Sequence, residues 1–323
     1  MRAIVYDTYG SAEVLELREL DKPKVGDDDV LVRVHAAGVD PSVWHLMTGL
    51  PYLVRLMGNG VRRPKSGVPG LDLAGRVEAV GKNVTQVKPG DEVFGTGAGS
   101  FAEYALAKEG KVAPKPSNLT FEQAAAIPVS AVTALQGLRD QARVQPGQKV
   151  LIIGAAGGVG SFAVQLAKAF GAHVTGVCST TKMDLVRSIG ADDVIDYTRE
   201  DFAESGRRFD VILDTAGNRT LSQLRRALSP RGTLSIVGGE GGGRWTGGFE
   251  RAMRALMLSP FVRQKLRGLI AKDNRADLIT LTELIEAGKL TPVIDRTYPL
   301  NNAPEAIRYL AQGHPRGKVV ITV

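Results

Sequence analysis

The 323-residue sequence predicts an α/β protein of two parts: a turn-rich, barrel-like β domain and a doubly wound parallel sheet inserted into it. Three observations carry this reading. A glycine-rich turn joins an apolar strand to a helix across residues 150–168, strands and helices alternate after it, and short β-branched runs punctuated by Gly and Pro fill the first part of the chain.

The chain opens on the strand-like run Met1 to Tyr6. Val30 to Ala36 and Ala74 to Val80 cluster or alternate β-branched residues, with turns at Gly81, at Pro89-Gly90 and from Gly95 to Gly99, so a compact barrel is expected. From Thr120, a candidate N-cap, the period becomes helical through Ile127; Pro128 interrupts it before Val132 to Leu138 resumes. Pro146-Gly147 turns the chain into the strand that enters the glycine loop. Further buried strands are expected at Ala172 to Cys178, Asp193 to Asp196, Phe209 to Asp214 and Gly232 to Gly238. The glycine-rich stretch Gly238 to Gly248 must be a loop. It follows Val237 at a strand's C-terminal end, where open α/β sheets hold ligands. Thr291 to Val323, with a short helix from Ala303 to Gln312 and a last strand from Lys318, has the character of the N-terminal domain and is expected to return to it. The expected domains are therefore 1–119 with 289–323, and 120–288.

The cradle has a specific chemistry. The run Gly154-Ala155-Ala156-Gly157-Gly158-Val159-Gly160 lies between strand and helix. Gly157 lets the backbone approach a pyrophosphate, Gly160 lets the helix lie close to the sheet, and the helix N-terminus offers free N–H groups and positive potential. Cofactor contacts are expected from Ala156, Gly157, Gly158 and Val159, and from Val237 and Gly238. The next strand ends in Ser179-Thr180-Thr181-Lys182, without the acid that would bond a ribose 2′-hydroxyl. Hydroxyls and a lysine suit a 2′-phosphate instead, and Tyr197 is placed to close the pocket, so the expected cofactor is NADPH.

Composition narrows the classes. No apolar run reaches the ~20 residues of a membrane span, and the N-terminus lacks a signal-peptide profile, so a cytoplasmic location without membrane partners is expected. The single Cys178 excludes a disulfide framework. Lys and Arg number 41 against 34 acids, a formal charge of +7, yet the basic residues are spread and aromatics are only 6%, so no nucleic-acid footprint is read.

Together these residues resemble the medium-chain dehydrogenase/reductase superfamily, in its zinc-free quinone oxidoreductase, or zeta-crystallin-like, branch. The resemblance extends over essentially the whole chain and includes Pro69 to Val77, Val80-Gly81, Gly90 to Phe94 and Phe101 to Tyr104. It implies a GroES-like catalytic domain and a Rossmann nucleotide-binding domain. Ala155 replaces the first glycine of the strict fingerprint, as branch members commonly do.

The resemblance also bears on metal. The places matching the zinc ligands of alcohol dehydrogenases in this superfamily look like Asp40, Leu71 with Asp72 behind it, and the stretch around Pro128 and Val129. Leu71 cannot ligate, and catalytic zinc needs three protein ligands, so no metal is expected and His35 and His45 read as ordinary side chains. Without a Lewis acid, hydride is expected to go to a quinone or α,β-unsaturated carbonyl, whose developing oxyanion needs a hydrogen-bond donor. Candidate catalytic residues are Tyr52 and Ser42, with Asp40 where relatives carry asparagine. An enoyl-thioester reductase and a non-catalytic NADPH-binding or RNA-binding protein are the alternatives. A homodimer is expected through the edge strand at Gln264 to Ala271.

Overall fold

The computed structural model describes residues 1–65, 67–238, 243–313 and 315–323, so residues 239–242 of the expected glycine loop lie outside the described residues. Two compact units emerge, 1–132 with 273–323, and 133–272.

In the first unit the long strand Asp29–Val39 organises a six-stranded sheet. It pairs antiparallel with Asp72–Val80 and with Tyr104–Pro114, and Glu92–Ala98 bridges those two, which closes a barrel. Its last residues instead pair with Lys318–Thr322, so the C-terminal segment returns to this unit as expected. Side chains such as Val30, Val32, Met47, Leu73, Val93, Phe101, Ile307 and Val319 form the core. Pro41–Thr48 is a helix capped by Asp40, and Thr120 with Gln123 forms a capping box for Phe121–Ala125. Pro128 does not merely interrupt: it opens the next helix, Pro128–Leu135, as a first-turn proline can.

The second unit is a six-stranded parallel sheet in the order Lys265–Gly268, Leu228–Ile236, Phe209–Asp214, Lys149–Ile153, His173–Cys178, Asp193–Asp196. The strand order reverses beside Lys149–Ile153, which makes its C-terminal end the switch point where such sheets bind ligands. Leu151, Ile153, Val177, Ile212, Leu224, Leu234 and Leu266 pack its core. Lys265–Gly268 is an edge strand, within the stretch read from sequence.

The domain boundaries differ from those expected at 119/120 and 288/289. The helix Arg275–Glu286 joins the barrel unit because Arg275 donates to the Val112 carbonyl at 2.6 Å, Asn118 to the Ile285 carbonyl at 3.1 Å, and Ser117 to Glu286. These links join residues far apart in the chain, and helical periodicity carries no trace of them.

Candidate functional site

In the parallel-sheet unit, the chain leaves Lys149–Ile153 by a turn in which Gly154 and Ala155 both donate to the Val177 carbonyl, at 3.2 and 3.1 Å, and Gly157 donates to Gly154 at 3.0 Å. The helix Gly158–Ala169 follows, with Gly157 as N-cap and no side-chain hydrogen bond capping it. At Gly160 a Cβ would stand 2.0 Å from the Gly154 carbonyl; only glycine lets helix and turn approach this closely. At Gly157 a Cβ would meet only the Gly154 oxygen, at 3.4 Å. Protein packing does not require glycine there, and the space it leaves fits an approaching pyrophosphate. Ala156, Gly157, Gly158 and Val159 span this turn and the start of the helix.

The ends of His173–Cys178 and Asp193–Asp196 are neighbours, and Tyr197 donates its N–H to the Cys178 carbonyl at 3.1 Å. This brings Ser179, Thr180, Lys182 and Tyr197 to one edge of the unit, with Lys182 half-buried and the Tyr197 ring exposed. One feature went unread in the sequence. Asp196, at the end of the neighbouring strand, accepts from the Thr180 hydroxyl and, at 2.7 Å, from Thr198. The Thr180 bond above all holds the Asp196 carboxyl below its usual range. Cys178 is buried, and burial pushes its thiol up to about 11, so it is no nucleophile at neutral pH.

Beyond Leu228–Ile236, Val237 and Gly238 both donate to the Asp214 carbonyl, at 2.9 and 3.4 Å. The Asp214 carboxylate is fully buried and pairs with Arg251 at 2.8 Å. Burial lifts this carboxyl, with Arg251 opposing the rise. Arg251 also donates to the carbonyls of Arg219 and Gly238, each at 2.9 Å, and so ties the loop after Phe209–Asp214 to the one after Leu228–Ile236. Its role had no sequence signature, because only the fold brings it to Asp214.

In the barrel unit, Asp40 caps Pro41–Thr48: one carboxylate oxygen accepts from the Ser42 N–H at 2.8 Å and from the Ser42 hydroxyl. Ser42, expected as a donor toward substrate, therefore spends its proton on Asp40. The other Asp40 oxygen is buried without a hydrogen-bond partner. Tyr52 opens the next helical turn, and the Arg55 guanidinium lies 4.9 Å from its ring and 4.2 Å from that of Tyr9.

Beside Asp40 lies a buried ion cluster that the sequence did not disclose. Lys318 Nζ stands 3.1 Å from Asp72 Oδ2 and 3.1 Å from Ser130 Oγ, and Val129 N–H donates to Asp72 Oδ1 at 2.9 Å. Both Asp72 and Lys318 are almost wholly buried. Gly38, on the strand between theirs, leaves them room: a Cβ there would fall 2.7 Å from Asp72 Oδ2. Burial pushes the Asp72 carboxyl up to about 7; Lys318 opposes this and Asp40 adds to it.

These residues do not suit a catalytic zinc. Leu71 offers no ligand atom, Asp72 is already held by an ammonium that opposes a second cation, and among the described residues no group of three or more His, Cys, Asp and Glu side chains is arranged to hold a metal ion. His35 stacks on Phe121 with ring centroids 4.3 Å apart, and His45 Nδ1 lies 2.7 Å from the Leu50 carbonyl.

A barrel built on Asp29–Val39 and a parallel sheet with a glycine turn at its switch point suit a dinucleotide-dependent oxidoreductase. Comparisons with known proteins agree. The model of the alcohol dehydrogenase GroES-like domain matches residues 26–117, and that of a zinc-binding dehydrogenase matches residues 189–321. A 2-methylene-furan-3-one reductase of Solanum lycopersicum is 36% identical, over 99% of this chain and 79% of its own. An NADPH-dependent alkenal/one oxidoreductase of Arabidopsis thaliana is 33% identical, over 99% and 79%. The solved structure of the quinone oxidoreductase from Coxiella burnetii superposes with a TM-score of 0.88 at 30% identity, covering 100% of this chain and 99% of that one. The chain belongs to the medium-chain dehydrogenase/reductase superfamily, in its quinone-oxidoreductase-like branch.

Proposed function

We propose that this enzyme reduces a quinone or an α,β-unsaturated carbonyl with NADPH and without zinc. The observation that supports the reading is the Asp72–Lys318 pair beside Leu71, at the place that the resemblance matches to a zinc ligand: Leu71 has no ligating side chain, and the neighbouring carboxylate is paired with Lys318. A saturated ketone would then lack strong polarisation, whereas a conjugated acceptor spreads the arriving charge and needs only a hydrogen-bond donor. The names of the relatives, which act on enones and quinones, support the same class.

When bound, NADPH supplies the hydride. The N–H groups of Gly158 and Val159 hold its pyrophosphate, with Ala156 and Gly157 giving close access. Ser179, Lys182 and Tyr197 receive the 2′-phosphate, while Thr180 keeps the Asp196 carboxylate occupied. Val237 and Gly238, fixed through Asp214 and Arg251, would also contact the cofactor. Tyr52 donates to the oxygen on which charge develops, and Asp40 with Ser42 fixes the start of the helix that precedes it.

The test is a panel of acceptors with NADPH, run on the wild type and on Tyr52→Phe. Removing one oxyanion donor costs ~2.7 to 4 kcal/mol, so Tyr52→Phe lowers kcat for an enone by on the order of a hundredfold. A change confined to KM would make Tyr52 a pocket wall.

The same reading places the enzyme in the cytoplasm, without a nucleic-acid partner, as a homodimer joined through Lys265–Gly268. The described residues include no helix long and apolar enough to cross a membrane. Met257, Phe261 and Ile270, each more than two-thirds exposed near that edge, support the pairing. A monomeric mass by light scattering at micromolar protein removes the dimer, and recovery of the native enzyme in an organelle fraction removes the cytoplasmic assignment.

A further inference from the structure

A second basic site lies in the parallel-sheet unit. An open cavity of about 430 Å³ is lined by Arg208, Arg225, Arg226 and Arg263, with Ser222 and Gln264 among its remaining walls. It lies by the strand starts at Phe209, Leu228 and Lys265, whereas the glycine cradle lies at strand C-terminal ends.

Three of the four guanidinium groups have no carboxylate partner among the described residues. Arg208 donates to the carbonyls of Arg226 and, at 3.3 Å, Leu228. Arg225 donates to the Gln264 side chain at 3.0 Å, and Gln264 in turn donates to the Arg225 carbonyl at 2.9 Å. Arg226 pairs with Glu204. Among the described residues no carboxylate pairs with Arg208, Arg225 or Arg263, and Arg263 is exposed. Carbonyls and an amide orient two of the forks while each keeps its charge and further N–H donors. Several like charges gathered at one cavity repel one another, and a ligand carrying several negative charges relieves that repulsion.

We propose that this cavity binds an oligophosphate group. Guanidinium forks match phosphate oxygens in pairs, and a single carboxylate would leave most of the forks unanswered. No aromatic side chain is among the residues lining the cavity and four guanidinium groups are, so the phosphates are the chief feature recognised. The group is either free polyphosphate or the phosphate tail of a nucleotide.

The experiment is calorimetric titration of sodium tripolyphosphate, and separately of ATP, into protein whose cradle is saturated with its nicotinamide cofactor, at about 0.15 M salt. One saturable site is expected. Arg263→Ala weakens it about tenfold and Arg263→Glu more, while cofactor affinity stays unchanged, since Arg263 lies at the strand starts, away from the glycine cradle. Tripolyphosphate binding tighter than ATP identifies free polyphosphate as the source, and tighter binding of ATP identifies a nucleotide tail. No saturable heat, binding indifferent to Arg263→Glu, or binding of an RNA oligonucleotide without tripolyphosphate would each overturn the proposal.

Discussion

The glycine cradle and the buried cluster of the barrel unit solve opposite problems. The cradle holds itself open with main chain: Gly154, Ala155 and Gly157 bond to nearby carbonyls, and the helix that follows has no side-chain cap. The cluster closes itself with charge: Asp72, Lys318 and Ser130 come from three separate parts of the sequence and are sealed from water. A site built from backbone is legible and ready for a ligand, whereas a site built from buried charge is committed to the fold.

That contrast is sharpened by breaking each side. Lys318→Met leaves a buried carboxylate without its cation, which typically costs ~3 to 5 kcal/mol, and replacing both partners by apolar residues recovers much of the loss. Urea unfolding of Lys318→Met and of the double variant Asp72→Leu/Lys318→Met measures it. The deficit also depends on pH. The folded Asp72 carboxyl titrates higher than an unfolded one, so its contribution favours the fold at low pH and is lost as pH rises through about 7. Removing Lys318 raises that carboxyl further, and the deficit grows from about pH 5 to pH 8. A single variant as stable as the wild type at pH 8 would make the cluster incidental.

The smaller effect belongs to the cradle unit. On the proposed 2′-phosphate assignment, Lys182→Ala removes one charge-assisted contact of ~1.5 to 3 kcal/mol, so it weakens NADPH by roughly ten- to a hundredfold and leaves NADH nearly unchanged. Fluorescence titration of both nucleotides reads the ratio, and an unchanged ratio contradicts the 2′-phosphate assignment.

The same contrast explains what the sequence disclosed. The cradle, the edge strand at Lys265–Gly268, the Thr120 cap and the return of Lys318–Thr322 were all readable, because each is written in local spacing, turn chemistry or hydrophobic period. Asp196 answering Thr180, Arg251 answering Asp214 and Lys318 answering Asp72 were not. Each pairs residues that only the sheet register or a chain return brings together, and an isolated Lys or Asp carries no periodic signal. The assignment of Arg275–Glu286 to the barrel unit escaped for the same reason, since its bonds to Val112 and Asn118 lie outside its own helix.

The central claim is hydride transfer to a conjugated acceptor without a metal. The most direct measurement compares, in one preparation, NADPH oxidation with a quinone and an enone against NADP⁺ reduction with a secondary alcohol, before and after exhaustive chelation, with zinc determined by elemental analysis. The expected result is substoichiometric zinc, quinone or enone turnover unaltered by chelator, and little alcohol oxidation. One zinc per chain, lost together with activity, or an alcohol turned over faster than any quinone or enone, would contradict it.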